Sequence, residues 1–142
     1  MRSILRANKV GHGGTLDPMA TGVLPLAFGE ATKTIEYVFS GLKEYRFAIR
    51  WGEGRDTDDA EGKITETAKH RPEKGEILSV LPRFTGKIDQ IPPIYSAVKI
   101  KGRRAYDLAR KKQKFQLQAR TVLVKEFELL ENLDRDHASF RV

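Results

Sequence analysis

The stretch Lys43-Glu44-Tyr45-Arg46-Phe47-Ala48-Ile49-Arg50-Trp51 is the feature that most constrains this chain. Tyr45, Phe47, Ile49 and Trp51 share one parity, and Glu44, Arg46 and Arg50 take the other. A period of two marks a strand covered on one side only, so the chain must build a sheet with one dry face and one wet face. Ala138-Ser139-Phe140-Arg141-Val142 alternates in the same way. Before it, Thr121 to Leu130 is rich in β-branched and apolar residues, and Asn132 to Asp136 reads as the turn between. Lys63 to Thr67 reads as the return strand of a hairpin whose loop is the polar, acidic Gly52 to Gly62. Hairpins outnumber alternating βαβ units, which points to the α+β class, with a largely antiparallel mixed sheet and flanking helices. A chain of 142 residues suffices for one ordinary domain with a real core.

The remaining elements are shorter. Val23 to Phe28 reads as a buried strand. Glu30 to Phe39, after Gly29, reads as a short helix. A second helix is expected over Glu73 to Leu81, stopping before Pro82. Ile91-Pro92-Pro93-Ile94 is extended, Ser96 to Ile100 can form a strand, and Arg103 to Lys112 reads as a helix with Tyr106, Leu108 and Ala109 inward.

Charge is distributed unevenly. The net charge is +7. Lys99, Lys101, Arg103, Arg104, Arg110, Lys111, Lys112 and Lys114 face a single opposing residue, Asp107, so this one segment carries the whole excess. A block of one sign suits a polyanionic partner, because binding releases condensed counterions; the alternative is a solvated helix face. The chain has no cysteine, which excludes disulfide scaffolds, cysteine-ligated metals and thiol nucleophiles and agrees with a reducing cytoplasm. The apolar run Val23 to Phe28 is far too short to cross a bilayer, and the first residues lack the apolar core of a signal peptide.

Residues 11–22, Gly-His-Gly-Gly-Thr-Leu-Asp-Pro-Met-Ala-Thr-Gly, form a loop. Its glycines allow close backbone approach to a ligand. Asp17, followed by Pro18, is a carboxylate presented off any helix; it can act as nucleophile or general base, or serve as a turn former. No Gly-Lys-Ser/Thr follows, which excludes a Walker phosphate loop. His12, His70 and His137 are scattered, so zinc has no support, and the acidic loop lacks the EF-hand glycine and glutamate. Tyr45 is either a core tyrosine or a ring on which a base could stack.

Gly11 to Pro25, continuing to Gly29-Glu30-Ala31-Thr32-Lys33, resembles the signature of the bacterial tRNA pseudouridine-55 synthases of the TruB type, a pattern shared with their guided, dyskerin-type relatives. Lys43-Glu44-Tyr45, Asp56-Thr57-Asp58-Asp59-Ala60-Glu61-Gly62, Ile91 to Lys99, Gly102, Tyr106 and Ala109-Arg110 agree in the same order. The resemblance implies the pseudouridine synthase fold and isomerisation of a T-loop uridine without cofactor or essential metal. By the same resemblance Asp17 matches the catalytic aspartate, His12 lies near the vacated RNA position, Tyr45 stacks on the flipped base and Asp59 lies close to it. Lys99, Arg103, Arg104 and Arg110 then fall in a basic RNA-clasping insertion at about 92–120. The expected partner is the tRNA T-stem-loop, with no membrane, no obligatory protein partner and a monomeric state at full length.

The resemblance also implies that the chain, taken as one partial catalytic domain over 1–142, is truncated at both ends. The family's opening Lys-Pro-x-Gly-x-(Thr/Ser)-Ser stretch does not precede the loop. The Gly-Thr-Tyr-Ile-Arg segment, whose arginine pairs with the catalytic aspartate, does not follow Val142. This piece alone is therefore expected to be inactive. Two other readings are a non-catalytic tRNA-binding or folding module and an RNA-guided synthase.

Overall fold

Every strand pairing in the computed structural model is antiparallel among the described residues. These are all residues except Met1, Pro18, Ser40, Ala97, Lys101, Lys112 and Lys114, together with the side chains of Phe39 and Lys99. The chain divides into two units, Met1–Lys43 and Glu44–Val142.

In the first unit, β1 (Val10–His12) pairs with β2 (Leu26–Phe28), with His12 opposite Leu26. The strand expected from Val23 is shorter than its apolar run. The Gly13 N–H donates to the Pro25 carbonyl at 2.9 Å and ends the pairing; proline has no N–H with which to extend it, and Val23 is 92% exposed. The helix expected over Glu30 to Phe39 is split into a 3-10 turn, Gly29–Lys33, and α1 (Ile35–Phe39). Two threonines explain the break. Thr32 and Thr34 donate their hydroxyls to the carbonyls three residues back, at 2.8 and 2.9 Å, competing with the helical ladder.

The second unit is built on a sheet of three strands in the order β10-β11-β3: β3 (Arg46–Arg50), β10 (Glu128–Asn132) and β11 (His137–Arg141). Phe47 lies opposite Phe140 and Ile49 opposite Ala138. The dry face inferred from the period-two pattern is the real one. Phe140 is 1% exposed and packs with Ile77, Leu81 and Ala138, while Ile49, Trp51, Phe127 and Leu129 lean on this core. Aromatic rings supply much of it: the Phe140 centroid is 5.7 Å from that of Phe47, 5.7 Å from Phe127 and 6.2 Å from Trp51.

The helix that covers this face is α2 (Lys74–Val80), followed by a 3-10 turn over Leu81–Phe84. It starts where the backbone N–H of Glu73 donates to the Glu76 carboxylate at 2.8 Å, one half of a capping box. Ile77 and Leu81, four residues apart, fall on the same side and enter the core. Burying a side chain of that size contributes roughly 1.5–3 kcal/mol.

Two hairpins and one pairing of strands distant in sequence complete the unit among the described residues. β4 (Glu53–Arg55) pairs with β5 (Ile64–Thr67), so the loop expected from Gly52 to Gly62 itself contains a short strand. β6 (Gly86–Gln90) pairs with β9 (Arg120–Val124). β7 (Lys99–Ile100) pairs with β8 (Arg103–Arg104) around Gly102, whose φ of +83° suits glycine. The helix expected from Arg103 is α3 (Ala105–Arg110), shortened at its start because Arg103 and Arg104 are taken into that ladder. Ala105 and Leu108 are its buried residues; Tyr106 is half-buried.

Candidate functional site

Asp17 sits in the loop that joins β1 to β2, between Gly13 and Pro25. Its own carbonyl accepts the Ala20 N–H at 2.9 Å, closing a tight turn. Its side chain is exposed and meets no hydrogen-bonding or charged partner among the described residues of its unit. The turn is thus closed by the Asp17 backbone, and the carboxylate stands exposed. The base of the loop is fixed: Gly13 is buried, and a Cβ there would stand 3.0 Å from Val38 Cγ1. His12, the last residue of β1, bonds through Nδ1 to the Gly14 carbonyl, so its ring is anchored at the root of the same loop. The structure therefore brings His12 and Asp17 onto one hairpin.

Tyr45, Asp59 and the basic segment belong to the second unit. Tyr45 precedes β3 and extends its pairing: its N–H donates to the Val142 carbonyl at 2.8 Å and its carbonyl accepts the Val142 N–H at 3.0 Å. It has the parity of Phe47 and Ile49, yet its ring is 58% exposed. It is an end-of-strand aromatic beyond the covered part of the dry face, not a core tyrosine.

Asp59 organises the loop between β4 and β5. Its Oδ1 accepts the Thr57 hydroxyl at 2.6 Å and the Glu61 N–H at 2.9 Å. The Thr57 hydrogen bond, helped by the Glu61 N–H, holds the Asp59 carboxyl below the usual carboxylate range. Asp56 accepts the Lys63 N–H at 2.8 Å, and Arg55 donates to the Gly62 carbonyl at 2.7 Å and to Glu53 at 2.8 Å. This loop is a stitched turn, which its acidic composition did not reveal. Asp56 also lines a groove of about 790 Å³ with Ile94, Tyr95, Gln113 and Phe115.

In the basic segment Arg103 is exposed in β8, Arg104 is half-buried, and Arg110 is exposed at the end of α3. The side chain of Lys99 lies outside the described residues, as do Lys101, Lys112 and Lys114. Arg46, Arg50, Arg55, Arg71 and Arg141 each pair with a carboxylate; Arg103, Arg104, Arg110 and Lys111 pair with none among the described residues. Sequence reasoning set Tyr106 inward on its helix and gave it no site role, yet its ring lies against two of these arginines; the four-residue spacing to Arg110 was the available signal. No three histidine, aspartate or glutamate side chains gather as a metal site among the described residues. Nor is any helix there long and apolar enough to cross a membrane.

The first unit thus presents a carboxylate on a hairpin loop, and the second carries an exposed end-of-strand tyrosine and a basic segment without carboxylate partners among the described residues. The chain belongs to the TruB family of pseudouridylate synthases: the model of that family's N-terminal domain matches residues 2–142. It is 56% identical, over all 142 residues, to a tRNA pseudouridine synthase B of Rhodospirillum rubrum, and 52% identical to that of Bartonella henselae. It spans 46% and 44% of those two proteins, under half their length. A chain in a crystal structure of a Cbf5-Nop10-Gar1 complex superposes with a TM-score of 0.65 at 30% identity, covering 99% of this chain and 32% of that one. The α+β antiparallel fold expected from the sequence is thereby shown.

Proposed function

We propose that this chain is the Asp17-bearing part of an enzyme that converts a uridine in the T-loop of tRNA, position 55, to pseudouridine. The observation that carries the proposal is the Gly13 to Pro25 loop, which holds Asp17 exposed and unpartnered within a family of pseudouridylate synthases. Identity of 56% and 52% to proteins named tRNA pseudouridine synthase B supports a tRNA substrate.

The reaction breaks the bond from C1′ to N1 of the base, turns the base and joins C1′ to C5; C5 gives up its proton to solvent and N1 takes one up, so the product is an isomer of the substrate. The base must first leave its stack, because its reacting atoms are out of reach within it. Asp17 acts as nucleophile, at sugar or base, or takes a ribose proton. The exposed Tyr45 ring offers a stacking surface to the flipped base, Asp59 lies near that base, and His12 lies near the position it leaves. Lys99, Arg103, Arg104 and Arg110 bind phosphates of the T-stem-loop. The chemistry uses no cofactor, and the full-length enzyme acts as a cytoplasmic monomer.

Asp17→Asn in the full-length enzyme tests this. The change keeps volume and removes charge and nucleophilicity. Release of tritium from tRNA labelled at C5 of uridine should fall to background while tRNA binding persists. A normal rate would overturn the assignment.

A further inference from the structure

Two arginines of the basic segment share one aromatic ring. Arg104 Cζ lies 6.0 Å from the centroid of Tyr106, and Arg110 Cζ lies 5.7 Å from it. Local geometry sets both contacts. Arg110 follows Tyr106 by four residues on α3, which puts the two on one helix face. Arg104 is the residue at which α3 begins, extended at φ −74° and ψ 141°, and its place is fixed by pairing with Lys99.

Neither guanidinium meets a carboxylate among the described residues, unlike the arginines of the three-stranded sheet. Two unneutralised cations repel, and long side chains left to themselves would splay. An aromatic face attracts each of them through its quadrupole. Gly102, Arg103, Asp107 and Lys111 line the same concavity as Arg104 and Tyr106. The ring therefore holds Arg104 at this concavity, where an anion can enter, and Arg110 against the same ring though not in the lining.

We propose that Tyr106 is a positioning residue for RNA, its ring preforming Arg104 and Arg110 as a pair of phosphate-binding groups. This rests on the RNA-binding reading of the segment. Ordering a long side chain at an interface is costly, and a pair ordered beforehand avoids that cost on binding.

The test is a double-mutant cycle in the full-length protein, with an unmodified tRNA transcript titrated over a salt series. Tyr106→Leu should weaken binding on the order of tenfold at every salt concentration, with the slope of log K against log salt kept, since both charges remain. Tyr106→Phe and Tyr106→Trp, which keep a ring, should bind like the parent. Arg104→Gln with Arg110→Gln should weaken binding and flatten the slope by about 0.7 for each phosphate no longer neutralised. Adding Tyr106→Leu to that pair should weaken binding no further.

An additive further loss, or failure of the Phe variant to bind normally, would overturn the positioning role while leaving RNA binding by the segment intact. No effect from the arginine pair would overturn the RNA reading as well. Should Tyr106→Leu not fold, the parent protein still decides the matter: the Nε–H resonances of Arg104 and Arg110 should show upfield ring-current shifts that Tyr106→Trp changes. Unshifted resonances would overturn the proposal.

Discussion

Arg71 and Asp136, 65 residues apart in sequence, meet as an ion pair through the Arg71 Nε. The same aspartate accepts the Trp51 N–H on its carbonyl at 2.8 Å, and Arg71 donates to the Ala68 carbonyl at 2.8 Å. The pair thus ties the segment after β5 to the turn before β11.

That pair predicts an acid-sensitive contribution. The Arg71 hydrogen bond holds the Asp136 carboxyl below its ordinary value of 3.8. A carboxyl depressed in the folded state stabilises the protein above its unfolded value, and that contribution is lost as pH falls through the folded one. The melting temperature of Asp136→Asn should therefore lie below that of the parent at pH 6. The gap should close as pH is lowered below 3.8, which a series of thermal melts would follow.

Phe140 is the most enclosed large side chain among the described residues, with three aromatic neighbours there. Phe140→Ala should cost about 3–5 kcal/mol, the range for a buried phenylalanine that leaves a cavity. Urea unfolding, read as a lowered midpoint at constant m-value, measures it.

Gly62 should tolerate no side chain. A Cβ there would stand 2.6 Å from Asp56 Oδ1 and 2.9 Å from the Thr57 backbone nitrogen, and closer still to the Thr57 hydroxyl. Gly62→Ala must open the loop that Asp59 closes, at roughly 1–3 kcal/mol for overpacking. Hydrogen exchange should show faster loss of protection at the Glu61 and Lys63 amides than in the parent.

Replacing Arg103, Arg104, Arg110 and Lys111 together by glutamine should lower tRNA affinity and flatten its salt dependence, by about 0.7 for each single-strand phosphate left without its cation. Filter binding at several salt concentrations gives the slope. An unchanged slope would mean that the segment does not touch RNA.

Alternation alone makes the dry face legible: Phe47, Ile49, Ala138 and Phe140 are where the period-two pattern puts them. What sequence could not show was where pairing changes partner. The apolar run from Thr121 to Leu130 reads as one strand, yet β9 pairs with β6 and β10 with β11. Hydroxyl competition at Thr32 and Thr34 was equally hidden, because threonine is compatible with a helix until its side chain turns back. The loop around Asp17 was legible from its glycines, but whether its backbone or its carboxylate forms the turn is decided only in the folded chain. Tyr106 went unremarked as a site residue because an inward tyrosine on a short helix is usually core.

The pairing of Tyr45 with Val142 continues a register that runs unbroken through Arg46–Arg141 to Arg50–His137. Side chains on a strand alternate faces, so a shift of one residue would turn every one of them over. A slip of one residue between β11 and β3 would point Phe140 outward and leave Tyr45 beside a different neighbour, whereas the β10–β11 ladder already takes up one extra residue at the irregularity between Leu129 and Glu131. Length variation among descendants of this sequence should therefore spare Arg46–Arg50 and His137–Arg141 and accumulate in the loops, or in β10, where a bulge is already accommodated.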